Sequence, residues 1–136
     1  HSPANPEQLQ QNAKYDNVLL DVYDYLEKRV ELAVTRGVPR AKIIVDPGIG
    51  FGKTQEHNLA LLRGLALFHS LGCSILVGAS RKRFIGTISG SENFDKRMPG
   101  SVAVALAAVG QGVQFVRVHD VLETVQAFKL WAAVRC

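Results

Sequence analysis

The stretch KIIVDPG at residues 42–48 decides the fold, because it is a short apolar run that ends in a carboxylate and a turn. A run without polar alternation is typical of a strand covered on both faces, as in parallel sheets. Residues 74–78 and 114–119 form two more such runs. The sequence therefore predicts three buried strands.

Four helices are predicted around these strands. The first runs from Asp16 to about Arg36, the second over 56–71 and the third over 99–111. The fourth follows Asp120, which is expected to cap it in a capping box with Glu123. Residues 1–15 and 88–97 are predicted loops, and residues 80–83 open a short helical stretch. Strands that alternate with helices over short connections indicate an α/β fold with parallel strands.

Composition favours one ordinary globular domain over residues 1–136. The chain is 47% hydrophobic and 21% charged, with a net charge of +4 and a pI near 9.3. Its cations are scattered and its aromatic residues few, so we expect no nucleic-acid partner. The apolar runs are too short for a membrane span, and no signal peptide is visible. Cys73 and Cys136 match no metal or redox spacing, which favours a reducing cytoplasm.

Candidate site residues follow the three strands. In parallel α/β folds the working side chains gather at the carboxyl ends of the strands. The first strand ends at Asp46, the second leads to Ser80 and Lys82, and the third carries Arg117 and His119. We therefore expect these five side chains to converge on one rim.

The first strand end allows two interpretations. Asp46 is either a fixed carboxylate for a planar pair of donors or a turn aspartate before Pro47. The glycine-rich loop 48–54 has neither P-loop nor dinucleotide spacing. Its glycines permit close approach of a ligand, with Phe51 as an apolar wall, unless the loop is a plain connection with a packed phenylalanine.

The other two strand ends are cationic. Ser80 is predicted to be an N-cap whose helix start attracts a carboxylate or phosphate, with added charge from Arg81 and Lys82. The alternative is a capped helix with solvated basic residues. Arg117 and His119 share one strand face and suit a diphosphate group, unless Arg117 pairs internally with an acid such as Asp46.

Four motifs together resemble one known family, the dihydropteroate synthases. Residues 46–53 resemble the family's D-P-G-x-G-F-G-K signature, and residues 78–82 its G-x-S-R-K. Residues 97–101 are similar to R-x-x-G-S, and residues 117–120 to R-V-H-D. The motifs occur in order across nearly the whole chain.

The resemblance implies roles for the pterin side of the site. Asp46 would bind the amino-pyrimidine edge of the pterin, and Lys82 would contact its carbonyl and ring nitrogen. Arg117 would lie along the pterin face and reach the diphosphate together with His119. Lys82, Arg117 and His119 are thus the expected catalytic residues.

The resemblance also implies a p-aminobenzoate side. Ser80 and the helix start behind it would receive the carboxylate, with Arg81 as a further substrate-binding residue. Gly50 and Phe51 would line the p-aminobenzoate and sulfonamide side. The implied reaction is displacement of diphosphate at the pterin methylene by the aryl amine, catalysed by a transferase of an alkyl group other than methyl, without a covalent nucleophile.

The implied fold is a partial TIM (β/α)8 barrel of three parallel strands with four helices, namely strands six to eight, with His1 just past the fifth. A whole barrel takes about 250 residues, so we expect a fragment, a cleaved chain or one piece of a two-chain assembly, inactive alone. Its expected partner is the N-terminal half-barrel, and the complete enzyme is expected to be a homodimer. The family's Mg²⁺ ligand would lie outside this chain, and no residue here is assigned to a metal.

Two other functions remain open from the sequence. A pterin-binding methyltransferase that uses methyltetrahydrofolate would share the barrel and the pterin pocket, but it needs no site for an aryl carboxylate. A non-catalytic module that binds an anion or another subunit would bind no pterin diphosphate.

Overall fold

The computed structural model describes residues 14–135 and contains a three-stranded parallel sheet. Strand β1 spans Ile44–Val45, β2 spans Ser74–Val77 and β3 spans Phe115–Val116, in the order β1-β2-β3. Val45 pairs with Ile75, and Val77 pairs with Val116. The parallel sheet predicted from the sequence is confirmed. Residues 1–13 of the predicted loop 1–15, including His1, lie outside the described residues, and so does Cys136.

Helices precede, connect and follow the strands. The α-helices are α1 (Val18–Thr35), α2 (Gln55–Arg63), α3 (Arg83–Ser89), α4 (Met98–Gly110) and α5 (Val121–Arg135). Short 3₁₀ helices span Arg40–Lys42, Leu65–Leu71 and Phe94–Arg97. Three of the four predicted helices are present as α1, α4 and α5, the predicted helix 56–71 is present only in part as α2, and α3 is the short helical stretch expected after residue 80. Within residues 14–135, no helix is both long and apolar enough to cross a membrane.

The predicted helix 56–71 is divided at Gly64. A Cβ atom at this position would lie 2.6 Å from a methyl group of Leu19, so α1 lies directly against the bare backbone. The chain continues beyond Gly64 as a 3₁₀ helix that ends at left-handed Gly72. The prediction of one continuous helix is therefore wrong: the close approach of α1 requires a glycine at position 64, and the α-helix ends there because glycine is a weak helix former.

The core lies between the helices and one face of the sheet. Leu61, Leu65, Phe68 and Ile75 are completely buried there. Along the strands the burial alternates, so Val45 and Val77 also point into this core.

The opposite sheet face is open in the part of the chain that is described. Ile44 is 49% exposed and Phe115 is 46% exposed, although both are large apolar residues. The apolar strands predicted a sheet covered on both faces, whereas residues 14–135 cover one. In a (β/α)8 barrel this second face is the barrel interior.

Replacement of Leu61 tests where the core lies. Leu61→Ala in the full-length protein is expected to lower the free energy of unfolding by about 2–5 kcal/mol, because a fully buried side chain leaves a cavity. Leu61→Met conserves volume and is expected to cost less than about 1.5 kcal/mol. Urea unfolding measures both. Equal midpoints for the two variants would contradict this assignment.

Candidate active site

The rim of the site is set by the side-chain alternation of the strands. Asp46, Gly78 and Arg117 follow the strands on the same open face, and Asp46 and Arg117 are exposed. The guanidinium of Arg117 lies over Gly78, where a Cβ atom would stand 3.3 Å from Nε and Nη2. The absence of a side chain at Gly78 therefore makes room for Arg117, a role that the sequence analysis did not assign.

Lys82 joins this group from the loop after β2. Burial lowers its pKa, the charge of Arg117 lowers it further, and the charge of Asp46 acts in the opposite direction. The structure thus brings Asp46, Lys82 and Arg117 together at one rim. Among residues 14–135 both ion pairs involve Arg81, so the alternative pairing of Arg117 with Asp46 is not formed.

The glycine-rich loop lies directly against Lys82. Gly50 has a left-handed φ of 81°, and a Cβ atom there would be 2.9 Å from Cδ of Lys82. Phe51 is 45% exposed, and Nζ of Lys82 lies 3.9 Å from its ring centroid. Phe51 is therefore a wall that covers a cation, not a core side chain.

Asp46 combines the two interpretations offered by the sequence. Its Oδ1 accepts a hydrogen bond of 2.8 Å from the backbone N–H of Gly48, which is ordinary turn chemistry. The residue nevertheless stays exposed at the rim. One oxygen is thus fixed by the turn, and the carboxylate can still accept hydrogen bonds from a ligand.

Two buried residues beneath the loop were missed by the sequence analysis. Lys53 donates hydrogen bonds of 3.0 Å to the carbonyls of both Gly48 and Phe51. Asn58 accepts one of 2.7 Å from the N–H of Gly50. Since both roles depend on how the loop folds back over α2, the only signal in the sequence was that Lys53 ends the first motif.

Ser80 does not cap a helix, so that prediction is wrong. The chain turns at residues 79–82, where Arg81 has a left-handed φ of 55°, and α3 begins only at Arg83. The buried Ser80 hydroxyl accepts a hydrogen bond of 3.1 Å from the His119 N–H and lies 2.9 Å from its Nδ1. Ser80 therefore ties the end of β2 to the end of β3 and orients the His119 ring.

Arg81 forms a second tie between the same strand ends. Its Nε and Nη2 donate to the two carboxylate oxygens of Asp120 at 3.0 and 2.6 Å, and its Nη1 donates to Asp95 at 2.9 Å. The hydrogen bond from Arg81 holds the pKa of the Asp120 carboxyl below its usual range. Asp120 lies directly before α5, as predicted, but among the hydrogen bonds of residues 14–135 the predicted capping box with Glu123 is not formed. Both Asp120 carboxylate oxygens accept from Arg81, and its carbonyl oxygen accepts from the Thr124 N–H.

The third motif supports the loop that carries Arg81. Arg97 donates to three backbone carbonyls, those of Ser91, Arg81 and Glu92, at 3.1, 3.1 and 2.6 Å. Ser101 accepts a hydrogen bond of 2.7 Å from the Arg81 N–H. Gly100 lies against the side chain of Ile85, which leaves no space for a Cβ atom. This motif is structural in the described part of the chain.

A cavity of about 320 Å³ opens beside Lys82, between the glycine-rich loop and α3. Three cations line it, Lys53, Lys82 and Arg83, together with the backbone of Gly50 and the Asn58 side chain. A cavity of this size with a cationic lining suits a small anionic ligand, such as an aromatic carboxylate.

The residues described do not fit a magnesium ion. Within residues 14–135, no three His, Cys, Asp or Glu side chains are grouped closely enough to hold a metal. Asp46 moreover faces the charges of Lys53 and Lys82. The expected Mg²⁺ remains a prediction for residues outside this chain, and no chemical step is assigned to it.

Comparison with known proteins points to one enzyme. A family model described as "Pterin binding enzyme" matches residues 1–119. The dihydropteroate synthase of Neisseria meningitidis serogroup B is 44% identical over 137 residues, which is 98% of this chain and 48% of that protein. The chain spans about half the length of the curated relatives it matches.

Solved structures agree with the sequence comparison. Dihydropteroate synthase from Thermus thermophilus, in complex with 4-aminobenzoate and with 6HMPPP, matches with TM-scores of 0.93 and 0.92 at 44% identity. These matches cover 100% of this chain and 55% and 54% of those chains. The Yersinia pestis enzyme with a sulfonamide drug matches at 0.92 and 38% identity, over 99% of this chain and 49% of that one. The predicted fold class is confirmed, since the three strands form an arc of a (β/α)8 barrel.

The tie between Arg81 and Asp120 is tested by a double-mutant cycle. Arg81→Met and Asp120→Asn are each expected to lower the urea midpoint at pH 7, and the double variant by little more than either one. Asp120 has a lowered folded-state pKa, so its contribution is present above the unfolded pKa of about 4 and is lost as the pH falls through the folded value. Acid therefore destabilises wild type more than Asp120→Asn. Fully additive effects would argue against the tie.

Proposed function

The chain belongs to the pterin-binding enzyme family, and from this premise we propose that it is the C-terminal part of a dihydropteroate synthase. The complete enzyme would condense 6-hydroxymethyl-dihydropterin diphosphate with p-aminobenzoate to give dihydropteroate and diphosphate in folate biosynthesis. The observation that carries the proposal is the meeting of Asp46, Lys82 and Arg117 at one rim beside a cationic cavity.

Asp46 and Arg117 would hold the pterin diphosphate. The Asp46 carboxylate is oriented by Gly48 and exposed, so it can accept the paired N–H groups of an amino-pyrimidine edge. The Arg117 guanidinium lies over Gly78 and forms no ion pair within residues 14–135. Its planar face is free to stack on the pterin, and its N–H groups can donate to phosphate oxygens.

The cavity beside Lys82 would hold p-aminobenzoate. The aromatic ring of p-aminobenzoate would lie between Gly50 and α3, and its carboxylate would be attracted by Lys82 and Arg83. Ser80 would act through His119 in this arrangement, since its hydroxyl is buried and bonded. Arg81 would likewise position Lys82 through its tie to Asp120. Sulfonamides would compete for the same space.

Catalysis would consist of charge stabilisation and orientation. As diphosphate leaves the pterin methylene, Arg117, His119 and Lys82 would stabilise the negative charge that develops on it. The aryl amine, held in line by the cavity, would attack the electron-poor carbon as the C–O bond to diphosphate breaks, and would then lose its proton to the released diphosphate or to solvent. No side chain needs to form a covalent intermediate.

Other partners belong to the same proposal. An N-terminal half-barrel would cover the open sheet face that exposes Ile44 and Phe115, complete the site and supply the magnesium ligand. We propose that the chain is inactive without it, that the complete enzyme is a homodimer and that it works in the cytoplasm. The cationic cavity favours a synthase over a methyltetrahydrofolate methyltransferase, which would have no aryl carboxylate to bind.

The activity assay uses the full-length protein that contains this chain, supplied with pterin diphosphate and p-aminobenzoate. We expect it to form dihydropteroate, with competition between p-aminobenzoate and a sulfonamide. Asp46→Asn, which loses the charged acceptor, is expected to lower kcat/KM by roughly 100-fold. Asp24→Asn, an exposed change on α1, is the matched control. Methyl transfer from methyltetrahydrofolate without dihydropteroate formation would overturn the proposal.

Gly78→Ala tests whether the missing side chain at residue 78 fixes the position of the Arg117 guanidinium. The new methyl group would press on the guanidinium at 3.3 Å and displace it, which we expect to raise the KM for pterin diphosphate roughly 10-fold. The KM for p-aminobenzoate should change little. In an Arg117→Met background the same alanine should have no further effect. An equal loss in both backgrounds would show that Gly78 acts independently of Arg117.

A further inference from the structure

Lys53 is a buried cation that the substrate roles above do not use. The residue is 4% exposed, and its Nζ lies 3.0 Å from the carbonyl oxygen of Gly48 and 3.0 Å from that of Phe51. A lysine is almost never this deeply buried unless its charge has a partner. Its hydrogen-bond partners are backbone carbonyls, so both bonds are charge-assisted without forming an ion pair.

These two bonds close a loop whose sequence gives it little rigidity. Gly48, Gly50 and Gly52 all have left-handed φ values, of 73°, 81° and 58°. A backbone so rich in glycine has many other conformations available. The Lys53 ammonium binds two carbonyl oxygens of the loop at once, and it thereby selects one of these conformations.

The closed loop determines where Phe51 and Lys82 lie. Phe51 is held by its carbonyl to Lys53, while its ring covers Nζ of Lys82. Gly50 packs on the Lys82 side chain, and its N–H donates to Asn58. Lys53, Gly50 and Lys82 all line the same cavity. A loosened loop would therefore move Lys82, a cation that lines this cavity, and Phe51, whose ring covers that cation.

We propose that Lys53 is a positioning residue, whose ammonium holds loop 48–52 so that Phe51 and Lys82 form the binding site of the aryl amine substrate. This inference rests on the proposed function. It assigns Lys53 a larger effect on p-aminobenzoate binding than on pterin diphosphate, because Lys82 also serves the pterin side of the site.

The ionisation of Lys53 supplies a readout. Burial lowers its pKa to about 8, and the charge of Asp46 opposes the shift. The other titratable groups that face it are Tyr15, whose ring centroid lies 5.9 Å from Nζ, His57 against that ring, and Lys82 across Gly50. Loss of the proton above about pH 8 weakens both bonds to the loop.

The direction in which deprotonation of Lys53 changes the stability of the fold distinguishes a positioning role in substrate binding from a purely structural role. The folded-state pKa lies below the ordinary value of 10.5, so between about pH 8 and 10.5 the unfolded chain binds more protons than the folded one. Deprotonation of Lys53 therefore contributes stability over this range, while the loop loses its charge-assisted bonds. Between about pH 8 and 10.5, p-aminobenzoate should therefore bind more weakly although deprotonation of Lys53 does not destabilise the fold.

The experiment measures steady-state kinetics of the full-length enzyme from pH 6 to 10. Lys53→Met is expected to raise the KM for p-aminobenzoate roughly 10- to 100-fold, the loss of hydrogen bonds to a charged group. The KM for pterin diphosphate should rise by a smaller factor than that for p-aminobenzoate, because Arg117 keeps its place over Gly78. Wild type should show a rise in the p-aminobenzoate KM above pH 8 that is smaller in Lys53→Arg, which stays charged, and the rise that remains there belongs to Lys82, whose pKa is also lowered. Lys28→Met, an exposed lysine on α1, is the matched control.

Amide hydrogen exchange at residues 48–52 provides a readout that needs no substrate. Faster exchange in Lys53→Met together with the selective rise in KM supports the inference. Unchanged exchange, or an equal rise in both KM values, overturns it. Should Lys53→Met fail to fold, the comparison of wild type with Lys53→Arg still decides. Absence of dihydropteroate formation by wild type would instead refute the proposed function, and the exchange data would still test the loop.

Discussion

Parallel pairing of β2 with both of its neighbours is the constraint on which the site depends. The register places Val45 beside Ile75 and Val77 beside Val116, so the three strands finish at one edge. Because side chains alternate along a strand, a slip of one residue would turn Asp46 towards the helices and Val45 outwards. The apolar core around Ile75 and Val77 prevents that slip. The strand register that buries the core is therefore the same register that places the site residues on the open face.

Beyond the ends of the strands, side-chain hydrogen bonds replace backbone pairing as the connection between β2 and β3. Ser80 reaches His119, and Arg81 reaches Asp120, so two consecutive residues after β2 are bound to two consecutive residues after β3. Of the predicted catalytic residues, His119 is one of these tied residues and Lys82 directly follows Arg81, another of them. Lys82 and Arg117 are left close together without a neutralising ion pair in the described chain, and the charge of Arg117 accordingly helps to lower the pKa of Lys82. An anionic substrate would relieve this repulsion, as expected of a site built to bind anions.

Much of this arrangement could be predicted from the sequence, since it depends on local patterns. Apolar runs predicted the strands, glycines the helix ends, and the parallel topology placed Asp46, Lys82 and Arg117 at one rim. The errors arose where a distant contact decides. Gly64, the C-cap of α2, is a glycine whose missing side chain makes room for Leu19, and Ser80 binds His119 instead of capping α3. The role of Lys53 depends on carbonyls that converge only after the loop has folded, and no spacing reveals that.

The contact between Gly100 and Ile85 has a consequence for how such sequences can diverge. Ile85 is buried and branched at Cβ, so its methyl group cannot easily turn away from the bare backbone of α4. A larger residue at 100 becomes acceptable only where residue 85 has already become smaller. Among homologous proteins, a larger residue at one of these two positions should therefore occur together with a smaller residue at the other. A substitution that is harmless in one relative would be damaging when it is introduced alone into another.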